Sequence, residues 1–103
     1  MVVFKIIFMR LSQEKAQFLK NQIQKYLPEA KVYLFGSRVS DSKKGGDIDI
    51  LILGDRVLNW KEKGDIKNIF WQHFGLQKLD IVSFTHEDQT PFKKITLFDA
   101  VLL

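Results

Sequence analysis

The sequence has 103 residues, 46% of them hydrophobic, no cysteine and a formal net charge of +4. A chain of this length is predicted to form one domain over residues 1–103 and to bury roughly 65% of the surface that its unfolded form exposes. The lack of cysteine excludes disulfides and thiolate metal sites, and it fits the reducing cytoplasm, where we expect the protein to act.

The N-terminal residues 2–9 are apolar except for Lys5. This run is too short to span a bilayer and lacks the small-residue cleavage site of a signal peptide, so we expect no membrane association. We predict instead that residues 2–9 form a strand-like extension ahead of the first helix.

The first helix is predicted to begin after Ser12, because a serine side chain accepts hydrogen bonds from the first helical turn. A β-favouring segment over residues 31–35 predicts the first strand, which leads into Gly36-Ser37. The second strand is predicted over residues 47–53. The apolar residues of the helix recur at helical spacing until Pro28 ends the run, and they are Ala16, Leu19, Ile23 and Leu27.

A second helix is predicted from an apolar stripe that consists of Ile66, Ile69, Phe70, His73 and Phe74. We expect Asp65 to cap this helix and Gly75 to end it, while Gly64 leaves an earlier start open. The third strand is predicted over residues 79–84.

The last helix is predicted to start at Thr90-Pro91, a residue pair typical of an N-cap followed by the first helical position. We expect Ile95, Phe98 and Leu102 to face inward, and we expect Trp60 and Trp71 to be buried in the core. Because helices and strands alternate, we predict a small β-sheet with helices packed on it. The fold class that we expect is α+β, with a mixed sheet.

Two carboxylates open the second predicted strand. Side chains alternate between the faces of a strand, so Asp47 and Asp49 project to the same side, roughly 6.6 Å apart at the backbone. Two neighbouring anions repel each other, and a bound divalent cation removes that cost. Mg²⁺ prefers carboxylate and phosphate oxygens, so the sequence predicts a metal site at this position.

A phosphate-binding loop is predicted directly after the first strand. Gly36 lets the backbone approach a phosphate closely, and Ser37 offers a hydroxyl and an amide. Arg38 adds a planar cation suited to phosphate oxygens. Without the aspartates downstream, Gly36-Ser37 would be read as an ordinary turn.

The ordered set of Gly36-Ser37, Asp47-Ile48-Asp49 and a later Asp80 resembles the nucleotidyltransferase superfamily typified by DNA polymerase beta. The likeness covers nearly the whole chain from about Met9 and is strongest to the minimal nucleotidyltransferases. It implies a polymerase-beta-like fold in which Asp47, Asp49 and Asp80 are catalytic and hold two Mg²⁺ ions, with Mn²⁺ as a substitute. It also implies that Gly36, Ser37 and Arg38 bind the nucleotide.

The resemblance further implies the transfer of NMP, AMP from ATP in the first instance, onto an acceptor. Minimal nucleotidyltransferases of this size are often antitoxins that adenylylate a helical HEPN-type toxin encoded nearby, which is the partner expected here. Two other functions stay open, namely a non-catalytic nucleotide- or partner-binding subunit and a basic nucleic-acid-binding module. The lysines behind the pI of about 9.4 are scattered, so direct nucleic-acid binding is not indicated.

Overall fold

A computed structural model describes residues 11–35, 48–98 and 100–103. Residues 1–10, with the predicted extension, and residues 36–47, with Gly36, Ser37, Arg38 and Asp47, lie outside the described residues. The described helices are α1 (Gln13–Tyr26), α2 (Trp60–Phe74) and α3 (Pro91–Phe98), and the described strands are β1 (Lys31–Phe35), β2 (Ile48–Gly54), β3 (Leu79–Thr85) and β4 (Val101–Leu102). None of the helices in these ranges is long and apolar enough to cross a membrane.

The strands form one mixed sheet in the order β3-β2-β1-β4. β2 and β3 are parallel, and the intervening α2 supplies the long crossover that a parallel pair requires. β1 is antiparallel to both β2 and β4. The α+β class and the small mixed sheet predicted from the sequence are therefore confirmed.

One face of the sheet, which we call the packed face, is covered by α1 and α2. Its strand residues alternate with those of the opposite face and are almost fully buried, as the two-residue period of a strand requires. The helices contribute Leu19, Ile23, Ile66 and Phe70 to the same core, and the strands contribute Val32, Leu34, Ile48, Ile50, Ile52, Leu79 and Ile81.

The ends of α1 and α2 are set by capping residues. The Ser12 hydroxyl accepts a hydrogen bond from the backbone N–H of Lys15 at 3.1 Å, which confirms the predicted start of α1. The prediction that Asp65 caps α2 was wrong, because the helix begins at Trp60 behind the N-cap Asn59. Gly75 ends α2 as predicted, with a φ of 89° that glycine adopts without steric cost.

The first turn of α2 is fixed by a reciprocal capping box. The Asn59 side chain accepts from the backbone N–H of Glu62 at 2.8 Å, and the Glu62 carboxylate accepts from the backbone N–H of Asn59 at 3.0 Å. The Arg56 guanidinium donates two further hydrogen bonds to that carboxylate, at 2.9 and 2.8 Å. The bonds from Arg56 first, then the backbone bond from Asn59, lower the pKa of Glu62 to about 2.

The two tryptophans differ in their exposure to solvent. Trp60 is 85% exposed, so the prediction that it is buried was wrong. Trp71 is partly buried against the core of the packed face, and its indole N–H donates to the carbonyl of Gln77 at 2.7 Å. The exposure of Trp60 follows from the true start of α2, because the first residue of that helix lies beyond the edge of the core.

The other face of the sheet, which we call the open face, carries a smaller apolar cluster. Leu51, Leu53 and Phe84 are buried there, and Leu97 of α3 packs against them. The prediction that Ile95, Phe98 and Leu102 face inward was wrong, because all three are exposed. The buried residues of α3 are instead Lys93 and Thr96.

Candidate active site

Asp49 and Asp80 are direct neighbours in the sheet. The register of the parallel pair β2 and β3 places Asp49 opposite Asp80, so their Cα atoms are about 4.8 Å apart. Directly paired residues project to the same side, and both carboxylates therefore belong to the open face. The structure thus brings together two of the three aspartates that were predicted from the sequence.

This pair lies at the edge of the sheet where β2 and β3 begin and β1 ends. Phe35, the last residue of β1, is opposite Asp49 in the antiparallel register. The backbone N–H of Ile48 donates to the carbonyl of Lys78 at 2.9 Å, which holds the starts of β2 and β3 together. The segment 36–47 is covalently joined to Phe35 and Ile48, so both of its attachment points are at this edge.

The carboxylates stand next to an apolar row on the same face. Tyr33, Leu51 and Val82 occupy the next positions of β1, β2 and β3 in register, and Tyr33 and Val82 pack on the buried Leu51 cluster. The Asp80 side chain is 49% exposed, and Asp49 is partly buried. The pair therefore lies between solvent and the apolar surface formed by Tyr33, Leu51 and Val82. A ligand can reach the carboxylates from solvent and displace water from that apolar surface.

Lys78 is a neighbour of the pair that was not predicted from the sequence. Its ammonium lies 4.0 Å from the Asp80 carboxylate, and both side chains are about half exposed or more, so this ion pair is weak. The spacing of two residues between Lys78 and Asp80 would have indicated it, because such residues share a side of an extended chain.

The donor set at this edge fits a hard divalent cation. Carboxylate oxygens are the side-chain ligands that Mg²⁺ prefers, and adjacent carboxylates repel one another unless a cation lies between them. Within the described part of the chain no group of three or more metal-binding side chains converges. Asp47, the third predicted ligand, lies outside it, two residues before Asp49 along the chain.

Comparisons with solved structures support the fold. The chain resembles a structure of a tri-AMPylated Shewanella oneidensis HEPN toxin in complex with an MNT antitoxin, with a TM-score of 0.62 and 19% identity over 87% of this chain and 69% of the other. It also resembles a point-mutant structure of the toxin-antitoxin pair MntA-HpeT, with a TM-score of 0.66 and 20% identity over 91% of this chain and 72% of the other. No curated protein sequence matches the chain significantly.

The sequence profile of the family described as "Polymerase beta, Nucleotidyltransferase" matches residues 17–103. That range contains every residue predicted for the site, from Gly36 to Asp80. Because the match covers most of the sequence, the chain belongs to the polymerase beta nucleotidyltransferase family and is a nucleotidyltransferase.

Proposed function

We propose that this protein is a Mg²⁺-dependent minimal nucleotidyltransferase of the cytoplasm that moves AMP from ATP onto a protein, a helical HEPN-type toxin, and so acts as its antitoxin. The observation that carries the proposal is the direct pairing of Asp49 with Asp80 at the edge where the Gly36-Ser37 segment joins the sheet. Family membership supplies the reaction class, and this pairing supports Asp49 and Asp80 as members of its site.

The aspartates are the proposed ligands of the divalent cations. Asp47 and Asp49 would hold both ions, and Asp80 would hold the ion on the acceptor side. When bound, the cations neutralise the charge of the triphosphate and lower the pKa of the attacking hydroxyl. Asp80 is about half exposed, so it is accessible to an acceptor that approaches from solvent.

The reaction needs little covalent chemistry from the protein. The acceptor hydroxyl oxygen forms a bond to the α-phosphorus of ATP, the bond from that phosphorus to the bridging oxygen breaks, and pyrophosphate leaves. The hydroxyl proton passes to Asp80 or to solvent. Gly36, Ser37 and Arg38 would hold the β- and γ-phosphates, so that the reacting atoms stay aligned and the leaving group is stabilised.

The solved complexes support the proposed partner. One similar structure is named as an AMPylated HEPN toxin with an MNT antitoxin, and the other as a toxin-antitoxin pair. Both similarities concern the fold of this chain. They support the proposal that this protein modifies a HEPN-type partner encoded by a neighbouring gene.

The direct test is a transfer assay with ATP labelled at the α-phosphate, Mg²⁺ and the purified product of the neighbouring gene. We expect label on the partner and a mass increase of one AMP for each transfer. Asp49→Asn should lower the transfer rate at least about 100-fold, because it removes a charged group at the reacting centre. Circular dichroism should stay normal in this variant.

Asp55→Asn is the matched control. Asp55 is exposed and follows the opposite end of β2, about 20 Å from Asp49 along the strand. The same chemical change there should leave transfer unchanged. Near-normal transfer by a folded Asp49→Asn protein would contradict the site, and absence of label on the partner with every NTP would contradict the acceptor.

A further inference from the structure

Lys78 lies immediately before β3, on the same side of the sheet as Asp80. The residue between them, Leu79, is buried in the core of the packed face. Side chains of an extended chain alternate between the two faces, so Lys78 and Asp80 both project from the open face. The Lys78 ammonium is 4.0 Å from the Asp80 carboxylate. A cation of the protein itself is therefore next to a proposed metal ligand.

The backbone of Lys78 is held in place, whereas its side chain extends into solvent. The Lys78 carbonyl accepts from the backbone N–H of Ile48 at 2.9 Å. The carbonyl of the preceding residue, Gln77, accepts from the indole N–H of Trp71 at 2.7 Å. The Lys78 side chain is 64% exposed. The held backbone keeps the ammonium within reach of Asp80, and the exposed side chain has room to turn away from it.

The contact between Lys78 and Asp80 is an ion pair without a hydrogen bond. An ammonium that donates to a carboxylate lies about 2.7–2.9 Å from the oxygen, and the distance here is 4.0 Å. The Asp80 side chain is 49% exposed. An exposed ion pair of this length is weak, so a stronger ligand of the carboxylate can displace the ammonium.

We propose that Lys78 is a positioning residue that holds the Asp80 carboxylate in the cation-free site and competes for it with the divalent cation on the acceptor side. This inference rests on the proposed function, in which Asp80 is a ligand of that cation. The ammonium and the divalent cation are attracted to the same oxygens and repel each other. Binding of the cation therefore requires the ammonium to move, and Lys78 lowers the affinity for the cation.

This exchange balances part of the charge of the empty site. One carboxylate of the Asp49–Asp80 pair has an ammonium beside it, so the negative potential at the pair is smaller than two carboxylates alone produce. The rate of transfer should then depend on the Mg²⁺ concentration over a range that Lys78 sets.

A lysine beside an edge strand also has an ordinary explanation. In the described sheet β3 is an edge strand, and charged side chains on such strands oppose pairing with other chains. That role needs the charge of Lys78 but not the carboxylate of Asp80. The two explanations therefore differ in whether the effect of Lys78 on cation binding depends on Asp80.

The first measurement is a titration with Mn²⁺ alone, without nucleotide, in which electron paramagnetic resonance reports the free ion. Lys78→Met removes the charge and keeps an unbranched apolar side chain, so it should tighten Mn²⁺ binding roughly 3- to 5-fold. Lys78→Arg keeps the charge and should bind Mn²⁺ as the unchanged protein does.

Lys31→Met is the matched control. Lys31 is exposed at the start of β1 and is opposite Leu53, which is four residues, or about 13 Å, from Asp49 along β2. Solvent ions largely screen an exposed charge at that distance. The same chemical change there should leave the Mn²⁺ affinity unchanged.

The second measurement repeats the Lys78→Met substitution in Asp80→Asn protein. No carboxylate remains at position 80 for the ammonium to hold, so Lys78→Met should then change the Mn²⁺ affinity less than about 2-fold. An equal gain in both backgrounds would indicate repulsion through space without pairing, and it would overturn the proposal.

The third measurement is transfer from α-labelled ATP at varied free Mg²⁺. The concentration for the half-maximal rate should fall in Lys78→Met by the factor found with Mn²⁺, and it should not change in Lys31→Met. If Asp80→Asn weakens Mn²⁺ binding but Lys78→Met does not tighten it, the exchange is overturned and the proposed function stands. If the unchanged protein shows no Mn²⁺ binding that depends on Asp80, both are overturned.

Discussion

The two faces of the sheet differ in composition and in the role that we propose for each. The packed face is mainly apolar and is covered by α1 and α2, whereas the open face combines a small apolar cluster with the Asp49–Asp80 pair. Neighbouring carboxylates destabilise a fold unless a cation or hydrogen bonds offset their repulsion. The stability of the open face, which carries the carboxylates, therefore depends on the apolar residues buried on the packed face.

The open face is itself divided along the strands. Asp49 and Asp80 occupy the end where β2 and β3 begin, while Phe84 near the other end of β3 contacts Phe92 of α3, with ring centroids 5.6 Å apart. The first turn of α3 thus lies toward the end of the sheet away from the carboxylates.

The largest effect is expected from a substitution on the packed face. Leu34→Ala should lower the free energy of unfolding by about 2–5 kcal/mol, because it leaves a cavity under α1 and α2. Leu97→Ala, the same change at a partly buried position of the open face, should cost less than half as much. Urea unfolding of both variants measures the two losses of unfolding free energy. Equal losses would contradict the claim that the packed face contributes more to stability than the open face.

The next effect concerns the rate of the reaction. If Asp80 acts at the acceptor side, Asp80→Ala should lower kcat roughly 100- to 1,000-fold, with little change in ATP affinity. Such a result is the signature of an interaction made in the transition state. Single-turnover transfer at saturating ATP and calorimetric titration with ATP separate rate from binding. A near-normal rate would return Asp80 to the role of a solvent-facing strand residue.

A smaller effect is expected at the start of α2, the helix that seals the packed face over β2 and β3. Asn59→Ala removes the side chain that accepts from the Glu62 N–H and should cost about 1 kcal/mol. Asp65→Ala, at the residue first predicted to be the cap, should cost less. Thermal unfolding of the two variants shows which substitution destabilises the protein more. A larger loss of stability in Asp65→Ala than in Asn59→Ala would contradict the observed start of α2.

The smallest effect is a pH dependence of stability from the same turn. The pKa of Glu62 is about 2 in the folded protein, below its ordinary value of 4.5. The stabilisation is therefore complete above pH about 4.5 and is lost as the pH falls toward 2. Glu62→Gln should flatten the fall of Tm between these pH values. An unchanged pH profile in the variant would show that Glu62 does not contribute.

Much of the fold could be predicted from the sequence because local patterns and tertiary packing agree there. Ser12 and Gly75 mark helix ends through their own backbone chemistry, and β2 alternates between faces as predicted. The start of α2 was missed although Asn59 and Glu62 have the spacing of a capping box. Gly64 interrupted the apolar pattern, but the helix tolerates it.

The orientation of α3 could not be predicted from hydropathy. Lys93 is buried because three carbonyls of the preceding turn surround its ammonium, and such a set of acceptors exists only after the chain has folded. For the site, the sequence predicted that Asp49 and Asp80 lie in strands, and the register brought them together. The roles of Gly36, Ser37, Arg38 and Asp47 stay predictions.

The central claim is that Asp49 and Asp80 act as one unit in nucleotidyl transfer. The most direct measurement is a double-mutant cycle of Asp49→Asn and Asp80→Asn in single-turnover transfer from α-labelled ATP. Groups that act together are strongly non-additive, so the double variant should be about as slow as the slower single variant. Losses that multiply, as they do for independent sites, or near-normal transfer by either single variant would contradict the account.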